Sequence, residues 1–229
     1  VWPLVFITIV FSSWIIWNFQ MDAAIERELQ AIRDAGYPAT PAELNDWYAY
    51  PDGDNAALVY DKAFALLIES GGAEGDLLPI LGTQPPLDPT QAMPGDVTVA
   101  VERFLGTNQA ALETLHEAAR IVPSRYPIDL AKGVALSLTH LSKARMAASA
   151  LCIEAMRRAD RGDTDGAIDS LIAALAVGRS LRHEPIVVSH LVEISVMALA
   201  YQEIERLVQR VDLSQAQRDR LATASNATW

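Results

Sequence analysis

A single cysteine, Cys152, stands in the 229-residue chain, which excludes any intrachain disulfide and leaves the redox compartment unread. Alone among alanines and leucines, it reads as a small buried apolar residue of a helix. Positive charge is also short: 18 Lys and Arg against 29 Asp and Glu, net -11, excludes a general nucleic-acid surface, which needs clustered basic side chains. Strand-type alternation is scarce, so the fold class is all-α. No serine sits in a nucleophile elbow, and no glycine loop cradles a phosphate. No zincin motif and no haem-attachment pair occurs either. Finally, residues 1–20 contain no Asp, Glu, Lys, Arg or His.

That last absence is the most constraining. From Trp2 to Phe19 the run amounts to ~27 Å of helix at ~1.5 Å per residue, close to the ~30 Å hydrocarbon core of a bilayer. Trp2 lies at one end and Trp14, Trp17 and Phe19 toward the other, as suits amphipathic rings at headgroup level, with Phe6 between them. Residues 1–20 therefore read as a transmembrane anchor. The length of the run and the lack of a small-residue site before Met21 disfavour a cleaved signal peptide. The polar breaks Thr8, Ser12 and Ser13 are candidate contacts with neighbouring membrane helices. After the anchor, Arg27 and Arg33 are outnumbered by Asp22, Glu26, Glu28 and Asp34. The expectation is a single-pass protein of a bacterial inner membrane with its main domain periplasmic.

Acidity is concentrated early. Residues 20–119 hold 4 basic and 17 acidic side chains, whereas residues 120–185 hold 10 basic and 7 acidic. Such a field could steer a basic partner or simply solvate the surface. Composition divides the rest into a membrane-proximal helical segment (21–70), a Pro/Gly-rich loop (71–95) and an antiparallel helical body (96–229).

Helix signals are frequent. Met21 to Ala35 should continue the anchor helix and stop at Gly36. Thr40, Pro41 and Glu43 form a capping box, and Ser214 with Gln217 forms another. In the body, Asp96 to Val122 reads as one helix. Ile128 to Arg161 reads as a long one, with Leu130, Val134, Leu138, Leu141, Ala148, Leu151 and Ala155 on one face. A turn at Gly162 and Asp163 leads to a helix through Leu181. The next runs from Ile186 to Val211; its part from Ile186 to Tyr201, apolar nearly all round with His190 and Glu193 as its strongly polar members, reads as the central, most buried helix rather than as a second span.

The stretch RGDTDGAIDSLIAAL, residues 161–175, resembles the turn and second helix of a tetratricopeptide repeat, with Ala167, Leu171 and Ala174 at the positions matching that motif. The preceding helix departs from the pattern at Arg158. Over most of its length the chain is similar to a group of uncharacterised bacterial membrane-anchored helical proteins. That similarity is carried by TPAELNDWY, GDNAALVYDKAF, LHEAAR, YPIDL, HLSKAR and RSLRHEPIVVSHLV in order. It implies a continuous α-helical domain and brings no activity with it.

Candidate chemistry is sparse. Glu113 and His116 make Glu-x-x-His, half of a carboxylate-bridged di-iron site, and only the inverted pair His190 and Glu193 could add to it. Asp52, Asp54 and Asn55 suggest a cation loop, but a calcium loop needs Glu at its twelfth position, where Ala63 stands. His140 and His183 stand at no recognisable motif spacing. Arg157, Arg158 and Arg161 make a basic ridge, a candidate partner contact or a solvated helix end. These observations point to a non-enzymatic accessory or scaffold subunit without cofactor, lying in the lipid bilayer among membrane-protein partners. The alternatives are a membrane-anchored enzyme or metal-binding protein using Glu113, His116, His190 and Glu193, and an extracytoplasmic ligand- or protein-binding module.

Overall fold

This computed structural model describes residues 2–49 and 55–227, the side chains of 3–10 and 134 excepted. Every regular element among the described residues is helical: α1 (Trp2–Asp34), α2 (Pro41–Tyr48), α3 (Ala56–Leu66), α4 (Gly72–Asp76), α5 (Gly95–Thr107), α6 (Gln109–Ala118), α7 (Thr139–Asp160), α8 (Thr164–Arg179), α9 (Val187–Arg210) and α10 (Gln215–Asn226), with a 3-10 turn at Leu130–Ala135. The all-α class holds. The chain forms two compact units, one of residues 2–49 with 129–136, the other of 55–128 with 137–227.

In the first unit α1 runs without a break from Trp2 to Asp34, and Gly36 ends it with φ 85°, a left-handed conformation open to glycine. Trp14 and Trp17 are exposed at 57% and 68%, and Phe19 and Trp2 are more exposed still. The side chains of Phe6 and Thr8 lie outside the described residues. Thr40 caps α2 through Glu43 N (3.2 Å), while the Glu43 carboxylate reaches back past it to Ala39 N (2.7 Å) and takes Arg33 from α1 (2.9 Å). The capping box is therefore shifted by one residue on its return limb. Asn45 of α2 accepts from Leu130 N (3.1 Å), joining the 3-10 turn to this unit.

The second unit is an alanine-lined bundle. From α7, Ala144, Ala147, Ala148, Leu151, Cys152 and Ala155 are buried, and from α8, Ala167, Ile168, Leu171, Ala174 and Leu175. Small side chains let these two antiparallel helices approach closely, and they form the centre of the core. The Gly162 turn between them has φ 79°. Against expectation, α9 is not the most buried helix. It packs Ser189, Glu193, Val196, Ala200, Glu203 and Leu207 inward and leaves Val187 (74%), Leu191 (60%), Ile194 (63%), Tyr201 and Val208 exposed. Among the described residues, α9 is the helix long and apolar enough to cross a membrane by length and composition.

Two further expectations are corrected. Residues 128–138 are not part of α7: Asp129 caps the 3-10 turn through Ala131 N (3.2 Å), and Gly133, at φ 53°, breaks it. The predicted helix from Asp96 to Val122 is divided at Asn108, whose buried amide bonds Ile68 N (2.8 Å) and Ile68 O (3.1 Å) beyond the end of α3. Local apolar spacing could not show that the Asn108 side chain bonds a main chain forty positions away.

Candidate functional site

Each of α6, α7 and α8 contributes one polar side chain to a shared point. His116 of α6 places Nε2 2.8 Å from Oε2 of Glu154 in α7, and Ser170 of α8 donates to the same oxygen (2.8 Å). Arg158, one turn beyond Glu154, donates to its other oxygen (2.7 Å) and to Gly166 O (3.1 Å). Burial alone would raise the Glu154 carboxyl. The hydrogen bonds from His116 and Ser170, with the positive charge of His116 and Arg158, outweigh it and hold the group below the usual carboxylate range. With Nε2 directed at the carboxylate, the carboxylate orients the imidazole, as in catalytic and metal-bound histidines.

The pair opens on a cleft of ≈ 950 Å³ between α5, α6 and α7, lined also by Glu102, Gln109, Glu113, Arg157 and Arg161. Arg157 pairs with Glu102 and with Asp160 (2.9 Å), and Arg161 pairs with Glu102 (2.8 Å). Glu113 accepts from Gln109 (2.9 Å). The predicted basic ridge is thus present as a cluster, and each of its arginines already bonds a carboxylate of this chain. Glu113 and His116 share the cleft, whereas His190 lies 3.4 Å from Glu193, which also takes Arg182 (2.9 Å). Among the described residues, no group of three His, Cys, Asp or Glu side chains stands close enough to hold a metal ion.

No protein-family model matches this chain, nor does any curated protein or solved structure.

A second His–Glu pair went unrecognised in the sequence. His140 of α7 lies 2.8 Å from the fully buried Glu184, which also accepts from Ser189. The His140 ring stacks on Tyr126 at 4.7 Å between centroids, and Tyr126 OH lies 3.0 Å from Ser180 Oγ. Asp61, half-buried, is raised by its burial and pulled back by the charge of His140. Both histidines join a helix to a buried carboxylate that also binds a serine. The sequence separations, 38 and 44 residues, belong to no local motif, and only the folded bundle brings the partners together. Cys152 lies at the α7 core with its thiol pushed well above the usual range by burial. It is structural, as its composition suggested. Of the proposed cation loop, Asp52 and Asp54 lie outside the described residues, and Asn55 caps α3 through Ala57 N (3.1 Å).

Proposed function

We propose that the protein is a non-enzymatic interaction subunit of a membrane assembly, held in the bilayer by α1 and engaging a partner membrane protein through the outer face of α9. The observation that carries this reading is where the second unit exposes its large apolar side chains: they concentrate on α9. Val187, Leu191, Ile194, Tyr201 and Val208 follow one another at intervals of three, four or seven, so they fall on one stripe. Contiguous apolar stripes of this kind are uncommon on monomeric soluble surfaces and common at interfaces. Polar neighbours His190, Gln202, Glu205 and Gln209 supply a rim. The occupant that suits it is the apolar face of another helix.

The anchor is the second support. Residues 1–20 carry no charge, and the aromatic side chains of α1 from Phe11 to Phe19 are exposed, which suits lipid. We place the chain in a bacterial inner membrane as a single-pass protein with its second unit on the periplasmic side. Binding rather than chemistry is favoured because the ionisable side chains of the cleft are paired within the chain. A photo-crosslinking residue placed at Leu191 should give an adduct with a membrane protein, and one at Glu113 should not. Absence of any adduct at both Leu191 and Ile194 would remove the reading.

One observation favours an enzyme instead: His116, oriented by Glu154, faces an open cleft. A substrate-bearing role for that cleft requires His116→Ala to abolish an activity while leaving the α9 interaction intact.

A further inference from the structure

Beyond the uncharged run, α1 continues through residues 20–34 without a break, about 22 Å of further helix at ~1.5 Å per residue. Its two sides differ. On one, Met21, Ile25 and Ile32 are exposed and Leu29 is half-buried, and the same line runs back through Asn18, Trp14 and Phe11 into the uncharged run. These residues follow one another at intervals of three and four, which holds them on one stripe, and Phe11, Asn18, Ile25 and Ile32 recur every seven. On the other side stand Gln20, Ala23, Arg27, Gln30 and Asp34, where Arg27 donates to Ala23 O (3.1 Å) and Gln30 to Asp34 (2.9 Å).

Lipid suits Phe11 and Trp14, but the stripe continues past the uncharged run, where Met21, Ile25 and Ile32 face water. A repeat of seven keeps the seam between two helices in register as they wind around one another. The edges of the stripe are charged and opposite in sign: Glu28 lies along one and Arg33 along the other. Among the described residues the Glu28 carboxylate makes no hydrogen bond or ion pair. Arg33 donates from Nε to Glu43 (2.9 Å) and from Nη1 to Glu26 (2.9 Å), which leaves its Nη2 unused among those residues. In a parallel pair of identical helices each Glu28 comes beside Arg33 of the second copy, and the contact is made twice.

We propose that α1 is a self-association helix, and that the occupant of its stripe is the same stripe of a second copy, parallel to it and at the same height in the bilayer. The inference rests on the anchoring of α1 proposed above, because two chains inserted in the same direction have their helices parallel from the outset. Every residue of the seam then meets its own counterpart. Ile25 packs on Ile25 and Ile32 on Ile32, and the Asn18 amides bond one another near the end of the uncharged run, a contact that fixes register. A stalk of this length is marginal by itself, so the pair depends on the alignment and local concentration that the bilayer supplies, and it separates in detergent. It uses no residue of α9.

Single cysteines placed in the full chain and oxidised in the native membrane test the arrangement. Ile25→Cys and Ile32→Cys should form a disulfide-linked species of twice the single-chain mass, several-fold more than Ala23→Cys and Gln30→Cys on the opposite side. The unaltered chain, whose Cys152 is buried, should form none. Adding Glu28→Arg to Ile32→Cys sets like charges together beside the seam and should lower the yield several-fold. Equal yields from the two sides, or no linked species from either, would overturn the proposal, as would a yield indifferent to Glu28→Arg. Alkaline carbonate extraction of the same membranes separates this failure from failure of the anchoring. A chain released by carbonate removes the anchoring and the pair together. A chain that is retained but crosslinks no differently from its two sides removes the pair alone.

Discussion

The imidazole of His116 is bonded to the carboxylate of Glu154 at 2.8 Å, across the junction of α6 and α7. Because Glu154 also takes Ser170 and Arg158, its ionised form is the one the fold stabilises. Its folded value lies below the ordinary 4.5, so the stability it contributes is present above that value and is lost as pH falls through the folded one. Glu154→Gln should cost about 1–3 kcal/mol at pH 7, with the difference from the unaltered protein shrinking below pH 4.5. Urea denaturation at pH 7 and pH 4 measures it. An equal difference at both would show that the charge is not what matters.

Glu203 has the opposite sign. Burial raises its carboxyl from 4.5 to about 7, so its favourable contribution is complete below 4.5 and is lost as pH rises through about 7. Glu203→Gln should be neutral near pH 4 and should stabilise increasingly toward pH 8, by up to about 3 kcal/mol at 1.36 kcal/mol per unit. Thermal melting across this range tests the direction, and destabilisation at pH 8 would contradict it.

Cys152, enclosed between α7 and its neighbours, should not react with a thiol reagent in the native protein. Its labelling in increasing urea should follow global unfolding rather than precede it. Early labelling would mean that the α7–α8 hairpin opens separately.

Two glycines should respond in opposite directions. Gly162 turns the chain from α7 to α8 at φ 79°, so Gly162→Ala should destabilise by about 1 kcal/mol. Gly106 lies within α5 with nothing within 4 Å of the place a Cβ would take, so Gly106→Ala should stabilise by about 0.5–1 kcal/mol. Chemical denaturation of the two variants checks both signs.

Much of the helical plan was legible because its signals are local. Thr40 and Ser214 cap the helices their spacing announced, Gly36 ends α1, and the Gly162 turn separates α7 from α8. Leu130, Val134 and Leu138 keep α-helical spacing outside any α-helix, because Asp129 and Gly133 impose a tighter turn that periodicity does not weigh. Nor could hydropathy rank the helices by burial. The apolar α9 leaves much of its surface open, while the alanines of α7 and α8 let those helices approach closely enough to form the centre. The polar pairs at His116 and His140 were beyond reach because their partners lie far along the chain. The Pro/Gly-rich loop was legible from its composition, but its attachment depends on Arg206 and Arg210, each 119 residues from the carbonyl it holds, Leu87 O and Gln91 O.

The most direct measurement is the native mass of the protein solubilised from its own membrane in mild detergent, compared between the unaltered chain and Leu191→Glu/Ile194→Glu. An interaction subunit should travel in an assembly several times the mass of the single chain, and the double variant should fall to the single-chain mass while remaining membrane-bound through α1. An unaltered chain that travels alone, or a double variant that keeps its assembly, would contradict the account.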